Sequence, residues 1–291
     1  MNYPDNKLNR RSFLKVSALA GGGMILSFNW LAGCKPNSSE ILDMPKEWFR
    51  LNGYIKIGEN GLITIMSPNP EGGQNVKTSM PMIVAEELDA VWKNVRVEQA
   101  PLDTENFTRQ FIGGSQAIRI GWNALRTAGA TARQLLINAA ADEWKVPASE
   151  ISTDSGFLIH IQSGKRAHFG EMASLATTLP IPGNVELKKV DQFKIIGSSQ
   201  KNVDIQKIIT GKPLFGIDYN KEGSLIAMII HPPSFGMKLK SFDATEASKM
   251  PGIRGVFEIK SLRDDYVRTF FDTVTFTDLI AVVGTSTWEG L

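Results

Sequence analysis

Two glycine-rich loops contain the residues best suited to chemistry. The first loop covers residues 67–75 and the second residues 111–115, and each precedes a helical pattern. The start of a helix presents unpaired N–H groups and a partial positive charge, so glycines there let the backbone close on a phosphate or another anion. Both loops are therefore candidate anion-binding sites.

Neither loop matches a nucleotide-binding signature. No lysine follows the glycines at the position that a P-loop requires, and neither loop has the six-residue dinucleotide pattern. The charge pattern strengthens the case that the second loop binds an anion, because residues 106–141 contain four arginines and no Asp or Glu. This pattern is typical either of a solvated basic stripe or of a helix whose first turn faces a polyanionic cofactor. Only Arg109 and Arg119 lie near the glycines, and we predict that Arg126 and Arg133 are surface residues.

Apolar periodicity predicts alternating strands and helices around these loops. A hairpin is expected at the Asn60-Gly61 turn, and a helix capped by Thr78 or Ser79 is expected to end near Trp92. The other predicted elements are a short strand at 95–97, a long helix ending near Trp144, a hairpin at 151–160 and a strand at 278–284. Residues 175–211 contain prolines, glycines and mixed charges, which predicts a linker over the surface.

The first 34 residues have the pattern of an export signal. The twin-arginine segment from Asn9 to Lys15 is followed by an uncharged, Gly- and Ala-rich run over 16–33, which indicates the twin-arginine route. A membrane anchor is the alternative, because such a run is just long enough to span a bilayer. The run ends in Leu-Ala-Gly-Cys, which resembles a lipoprotein box with Cys34 as the lipidated residue. The alternative is a small-residue cleavage site that matches this pattern by chance. We therefore expect a periplasmic protein, or one attached to the membrane only through a lipid anchor.

Composition excludes several classes of protein. The 291 residues are 42% hydrophobic and 21% charged, which is enough apolar material for a core. The single cysteine and the widely separated His160, His168 and His231 predict no metal site made by the chain itself. The net charge is only +2, and four of the basic residues lie in the export signal, so nucleic acid is not an expected partner.

At its loops the chain resembles the molybdenum hydroxylases, the xanthine dehydrogenase and aldehyde oxidoreductase superfamily. Residues 73–78 are similar to the GQG-x-x-T motif of that family, and residues 113–119 are similar to its second pterin-phosphate loop. Blocks similar to the a/b hammerhead domain follow at 210–218, 229–233 and 251–256. Their position after the GQG segment resembles large (beta) subunits of the isoquinoline 1-oxidoreductase type.

The resemblance implies an α+β fold with a defined domain order. A mixed α/β molybdopterin-binding subdomain is expected over 48–170, a linker over 171–210, and an a/b hammerhead domain, incomplete at its C-terminus, over 211–291. The chain has Asn75 where the family usually has glycine. Asparagine tolerates left-handed backbone better than other non-glycine residues, so the loop is expected to keep its shape.

The resemblance also implies a function. The chain would be the N-terminal part of the large subunit of an exported enzyme that oxidises N-heterocycles or aldehydes with water as the oxygen source. Molybdopterin with molybdenum, in the cytosine dinucleotide form, would be the cofactor, with Gln74 and the N–H groups of residues 114–116 holding it. The binding residues that the resemblance implies are Gly73, Gln74, Thr78, Gly113, Gly114, Ser115, Gln116 and Arg119. A small [2Fe-2S] subunit and a cytochrome acceptor are the implied partners.

No catalytic residue can be assigned in these residues. The family places its base glutamate in a longer region that would follow residue 291, and Glu86 and Glu87 are predicted to be solvated or salt-bridged instead. The competing interpretation is a non-catalytic exported lipoprotein module that binds a ligand or a partner.

Overall fold

The computed structural model describes residues 42–107, 109–219, 221–234, 236–263, 265–267 and 278–291. The chain divides into two compact units, Met1–Thr210 and Gly211–Leu291. The predicted export signal and Cys34 lie outside the described residues. Within the described part of the chain, no helix is both long and apolar enough to cross a bilayer.

A four-stranded sheet begins the first unit. Its strands, in the order in which they pair, are β1 (Trp48–Arg50), β2 (Ile55–Gly58), β3 (Ile63–Ser67) and β4 (Val95–Gln99). The predicted hairpin is confirmed, because β2 and β3 pair antiparallel with Ile57 opposite Ile63. Strand β4 is parallel to β3, so a helical crossover must connect the two strands. Ile55, Ile57, Ile63 and Ile65 are almost fully buried and form the sheet's share of the core.

Two helices follow the two glycine-rich loops and pack on each other. Helix α1 (Val76–Leu88) is the crossover between β3 and β4, and helix α2 (Ala117–Trp144) is the long helix predicted from the sequence. Helix α1 begins two residues before the predicted caps, with Asn75 as the N-cap residue, and ends four residues before Trp92. Gly129 of α2 lies at this contact next to the Val84 carbonyl, and its lack of a side chain lets the helices approach closely. Ala132, Ala139 and Ala140 of α2 are fully buried in the core.

A second sheet and further short helices complete the first unit. The strands β5 (Ile151–Asp154), β6 (Phe157–His160) and β7 (Lys165–His168) form an antiparallel meander. Helix α3 (Phe169–Ala176) and helix α4 (Ile205–Ile209) follow.

The segment predicted as a linker over 171–210 is anchored on helix α1. The Glu86 carboxylate accepts hydrogen bonds from the backbone N–H groups of Lys194, Ile195 and Ile196 at 2.9, 2.6 and 3.0 Å. Lys188 forms ion pairs with Glu86 at 3.1 Å and with Asp89 at 2.7 Å. These contacts attach residues 188–196 to α1, and of these residues only Ile195 is buried, so the segment lies over the surface as the sequence predicts.

Two sequence predictions about charged residues are corrected here. Glu86 and Glu87 are fully buried, so the salt-bridged alternative is confirmed and the solvated alternative is wrong. The surface position predicted for Arg126 is also wrong, because its side chain is only 13% exposed and lies 2.6 Å from the Glu87 carboxylate. Arg133 likewise has a 15% exposed side chain, 3.9 Å from Glu87. Arg126 and Arg133 of α2 therefore help to hold α1 against α2.

The second unit contains a three-stranded antiparallel sheet. The strands β8 (Ile226–Ile230) and β9 (Ile253–Lys260) flank the central strand β10 (Asp278–Gly284). A short helix, α5 (Thr287–Gly290), follows β10. The Ser286 hydroxyl caps this helix, because it accepts a hydrogen bond from the Glu289 N–H at 3.3 Å. The coarse prediction of a mixed α+β chain is likewise confirmed.

Candidate functional site

The two glycine-rich loops meet at one open pocket. The pocket has a volume of about 480 Å³, within the usual range for small-molecule sites. Its lining residues from the first loop and helix α1 are Gly72, Gln74, Val76 and Ser79, and those from the second loop and helix α2 are Ile112, Gly113, Gly114, Ser115, Gln116, Ala117 and Ile118. Loops that lie about 40 residues apart in the sequence therefore face the same space.

Five of the eight predicted binding residues line this pocket: Gln74, Gly113, Gly114, Ser115 and Gln116. The other three do not. Gly73 is exposed on the first loop, and Arg119 is exposed on the first turn of α2. Thr78 is buried, and its hydroxyl accepts a hydrogen bond from the Val203 N–H at 3.1 Å. Thr78 therefore fixes the end of the first unit to α1 and is not available to a ligand in this arrangement.

Contact between the loops holds them close together. A β-carbon added at Gly72 would lie 2.7 Å from the Ile112 Cδ1 atom, so the two loops touch at this glycine. A β-carbon added at Gly113 would lie 2.7 Å from the Phe111 ring. A larger residue at Gly72 would displace Ile112 of the second loop, whereas a larger residue at Gly113 would displace the Phe111 ring within its own loop.

The backbone of the first loop is bonded to its own side chains. Glu71 accepts hydrogen bonds from the N–H groups of Gly73 at 2.7 Å, Asn75 at 2.9 Å and Lys77 at 2.9 Å. Gln74 accepts from the Gly72 N–H at 2.7 Å and donates to the Pro70 carbonyl at 3.1 Å. Sequence reasoning missed Glu71, although an acidic residue shortly before a helix start is a recognisable capping signal.

In the second loop, by contrast, the backbone N–H groups are not bonded to side chains of the described residues. The N–H groups of Gly113, Gly114, Ser115 and Gln116 make no hydrogen bond with any residue that the structure describes. Gly114 and Ser115 both have left-handed backbone, with φ of 64° and 52°. The first turn of α2 contains no acidic residue, and Arg109 donates to the Gln116 amide oxygen at 3.2 Å. The start of α2 is thus a positively polarised surface with unused donors.

A buried ion pair ties the start of helix α1 to the end of the first unit. Lys77 lies 2.6 Å from Asp204, and both side chains are at most 15% exposed. Burial by itself raises the pKa of Asp204, but hydrogen bonds and charge from Lys77 and Lys207 outweigh it and hold that pKa below its ordinary value. Together with the Thr78 contact to Val203, this pair fixes the start of α1.

Asn75 provides a test of the loop conformation. Its φ is 66°, and its buried Oδ1 atom has no hydrogen-bond partner among the described residues. We expect Asn75→Gly to stabilise the protein by up to about 1 kcal/mol, because glycine adopts this backbone without strain and removes the unpaired acceptor. Asn75→Ala should destabilise by about 1–2 kcal/mol, since alanine is strained there. Urea unfolding of both variants measures the difference, and an alanine variant more stable than the glycine variant would contradict it.

Comparison with known proteins identifies the first unit. Residues 21–210, more than half of the chain, match the family model described as molybdopterin cofactor-binding domain. The matched residues include both loops, α1, α2 and the anchored segment.

Curated relatives agree with this match. The chain is 28% identical over 247 residues to the beta subunit of isoquinoline 1-oxidoreductase of Brevundimonas diminuta, covering 72% of the chain and 32% of the relative. It is 28% identical over 265 residues to membrane-bound aldehyde dehydrogenase [pyrroloquinoline-quinone] of Gluconacetobacter polyoxogenes, covering 84% and 32%. It is 27% identical over 220 residues to a nicotinate dehydrogenase subunit of Pseudomonas putida, covering 71% and 18%.

The chain spans less than a third of the length of each of these relatives. Its first unit nevertheless matches the cofactor-binding model along nearly its whole described length, and the two loops on which the resemblance rests share one pocket. The chain therefore belongs to the molybdenum hydroxylase family, within which its first unit is a molybdopterin cofactor-binding domain.

Proposed function

We propose that this chain holds the pterin cofactor in the large subunit of an exported molybdenum hydroxylase that oxidises N-heterocycles or aldehydes. The relatives named for isoquinoline, nicotinate and aldehyde oxidation support this substrate range. The observation that carries the proposal is the shared pocket, which is lined both by Gln74 and by second-loop residues whose backbone N–H groups have no partner among the described residues.

The residues of the pocket fit a phosphorylated pterin. Four N–H groups, from Gly113 to Gln116, have no partner in the described part of the chain and can donate to phosphate oxygens, and the helix start behind them favours negative charge. Arg119 on the first turn of α2 adds an exposed positive charge nearby. The pocket is open to solvent, so a cofactor larger than its volume could extend out of it.

Gln74 can contact the cofactor without leaving its loop. A glutamine amide has two acceptor lone pairs and two N–H donors, and the loop uses one of each. One donor and one acceptor remain for the pterin. When bound, molybdopterin with its molybdenum supplies the redox and oxygen-transfer chemistry, and these residues bind and orient it.

The more detailed features belong to the same proposal. The cofactor would be the cytosine dinucleotide form, electrons would leave through a separate small [2Fe-2S] subunit, and a cytochrome would accept them. The antiparallel sheet of the second unit would belong to the a/b hammerhead domain, which the sequence blocks at 210–218 and 251–256 support. The twin-arginine segment supports export to the periplasm, with Cys34 as the lipid anchor.

A matched pair of substitutions at Ser115 tests the proposal. Aspartate and asparagine have similar size and both tolerate left-handed backbone, so Ser115→Asp and Ser115→Asn differ mainly in charge. The variants are purified from a host that makes the cofactor. We expect Ser115→Asp to contain at least tenfold less molybdenum and pterin than the wild type, because the carboxylate repels the phosphate. Ser115→Asn should keep at least half of the wild-type content. Equal content in the two variants, or wild-type protein without molybdenum, would reject the proposed site.

A further inference from the structure

We infer that Glu71 is a positioning residue that fixes the shape of the first loop and directs the cofactor phosphate to the second loop. This inference rests on the proposed function for its second half only. Its first half, the ordering of the loop, rests on contacts made within the chain.

The geometry of the first loop depends on this one carboxylate. Its Oε1 atom accepts from the N–H groups of Gly73 and Asn75, and its Oε2 atom accepts from the N–H of Lys77. Gly73 and Asn75 both have left-handed backbone, with φ of 101° and 66°. Three charge-assisted hydrogen bonds therefore stabilise a backbone conformation that only a fraction of the molecules would adopt without them.

The same carboxylate makes the two helix starts unequal. At α1, Glu71 already occupies N–H groups of the first turn and of the residues before it, and it neutralises the positive end of the helix. A phosphate placed there would meet a like charge and would find these donors in use. At α2 the corresponding N–H groups, from Gly114 to Gln116, have no partner among the described residues. On the side of the first loop, the pocket thus has N–H groups that are already bonded, and it presents Gln74. On the side of the second loop, its N–H groups are available and attract an anion.

Hydrogen exchange in the full chain tests the ordering half. In Glu71→Ala we expect the amide protons of Gly73, Asn75 and Lys77 to exchange at least tenfold faster than in the wild type, while those of Gly114 and Ser115 keep their rates. Glu71→Gln should restore protection at Gly73 and Asn75, since its amide oxygen can accept both bonds, but not at Lys77, where its NH₂ group meets another donor. The control is Glu105→Ala, an exposed glutamate whose side chain has no partner among the described residues.

Titration with inorganic phosphate, followed by amide chemical shifts, tests the directing half. In the wild type we expect phosphate-dependent shifts at residues 114–116 and none at residues 73–77. In Glu71→Ala a second set of shifts should appear at residues 73–77, because the vacated helix start can then accept the anion. A structural role alone would not create that second site.

The outcomes separate this inference from the proposed function. Unchanged exchange rates in Glu71→Ala would overturn the ordering role, and phosphate shifts at residues 73–77 of the wild type would overturn the directing role. If phosphate moved no amide at residues 114–116, the proposed phosphate site and the directing role would both fail. The exchange result at Gly73, Asn75 and Lys77 would still decide the ordering role on its own.

Discussion

Replacing Glu86 by alanine is expected to lower the free energy of unfolding by about 3–5 kcal/mol, which is a large part of the stability of a typical domain. The side chain is fully buried and accepts three backbone N–H groups, from Lys194, Ile195 and Ile196. Alanine would leave these donors unpaired and would remove one ion-pair partner of Lys188. Urea unfolding at pH 7 measures the loss. Release of residues 188–196 should also appear as faster proteolysis of that segment.

The pH dependence gives a second readout for Glu86. Burial raises its pKa, but the hydrogen bonds from Ile196 and Ile195 and the charge of Lys188 outweigh burial, so the net pKa lies below the ordinary value of 4.5. A lowered carboxylate pKa stabilises the fold above the pKa of the unfolded chain. The stability difference between wild type and Glu86→Ala should therefore be full at pH 7 and shrink as the pH falls below 4.5.

Glu143 provides the matched control. It is an exposed glutamate on α2 and forms no ion pair with the residues that the structure describes. We expect Glu143→Ala to change stability by no more than about 0.5 kcal/mol. If Glu86→Ala behaved like this control, the buried carboxylate would not anchor the segment.

The role of Glu86 and Glu87 could not be predicted from the sequence for a physical reason. Adjacent glutamates on a helix resemble an ordinary solvated face, and charged residues are rarely buried without partners. Their partners here include Lys188, about 100 residues later, within a stretch whose prolines and glycines suggested a linker. Only the tertiary structure brings that stretch over α1, so local patterns could not reveal it.

Features set by local interactions were predictable. The Asn60-Gly61 hairpin, the long helix α2 and the hairpin at 151–160 depend on residues within a few positions of one another, and all three are present. The boundaries of α1 were less predictable. Thr78 and Ser79 have the right chemistry for a cap, but the carboxylate of Glu71 bonds the N–H groups ahead of them, and the helix begins earlier.

The candidate site was predictable in outline. Glycines before a helix start indicated both loops, and five of the eight predicted residues line the shared pocket. The sequence could not distinguish a loop whose N–H groups are used by its own side chains from one whose N–H groups are free. That distinction depends on where the Glu71 carboxylate lies, which composition and spacing do not determine.

Replacing Gly129 by alanine is the second substitution for which a large effect is expected. Gly129 is a buried residue of α2 at its contact with α1. An added β-carbon would lie 2.4 Å from the Val84 carbonyl oxygen, 2.8 Å from the Glu87 Cβ atom and 3.2 Å from the Leu88 nitrogen. Two of these atoms belong to the backbone and cannot rotate away, so the helices must separate. We expect destabilisation by about 1–3 kcal/mol despite the better helix propensity of alanine.

Gly121, on the same helix, separates the steric effect from helix propensity. A β-carbon there would meet only the flexible ends of Met80 and Leu125, at 3.1 and 3.3 Å. Gly121→Ala should therefore be neutral or stabilising by up to about 1 kcal/mol. If Gly129→Ala were as stable as Gly121→Ala, the helices would tolerate separation and the prediction would be wrong. Since α1 follows the first loop and α2 follows the second, their separation should also move the loops apart. We accordingly expect Gly129→Ala, but not Gly121→Ala, to reduce the molybdenum content of the purified protein.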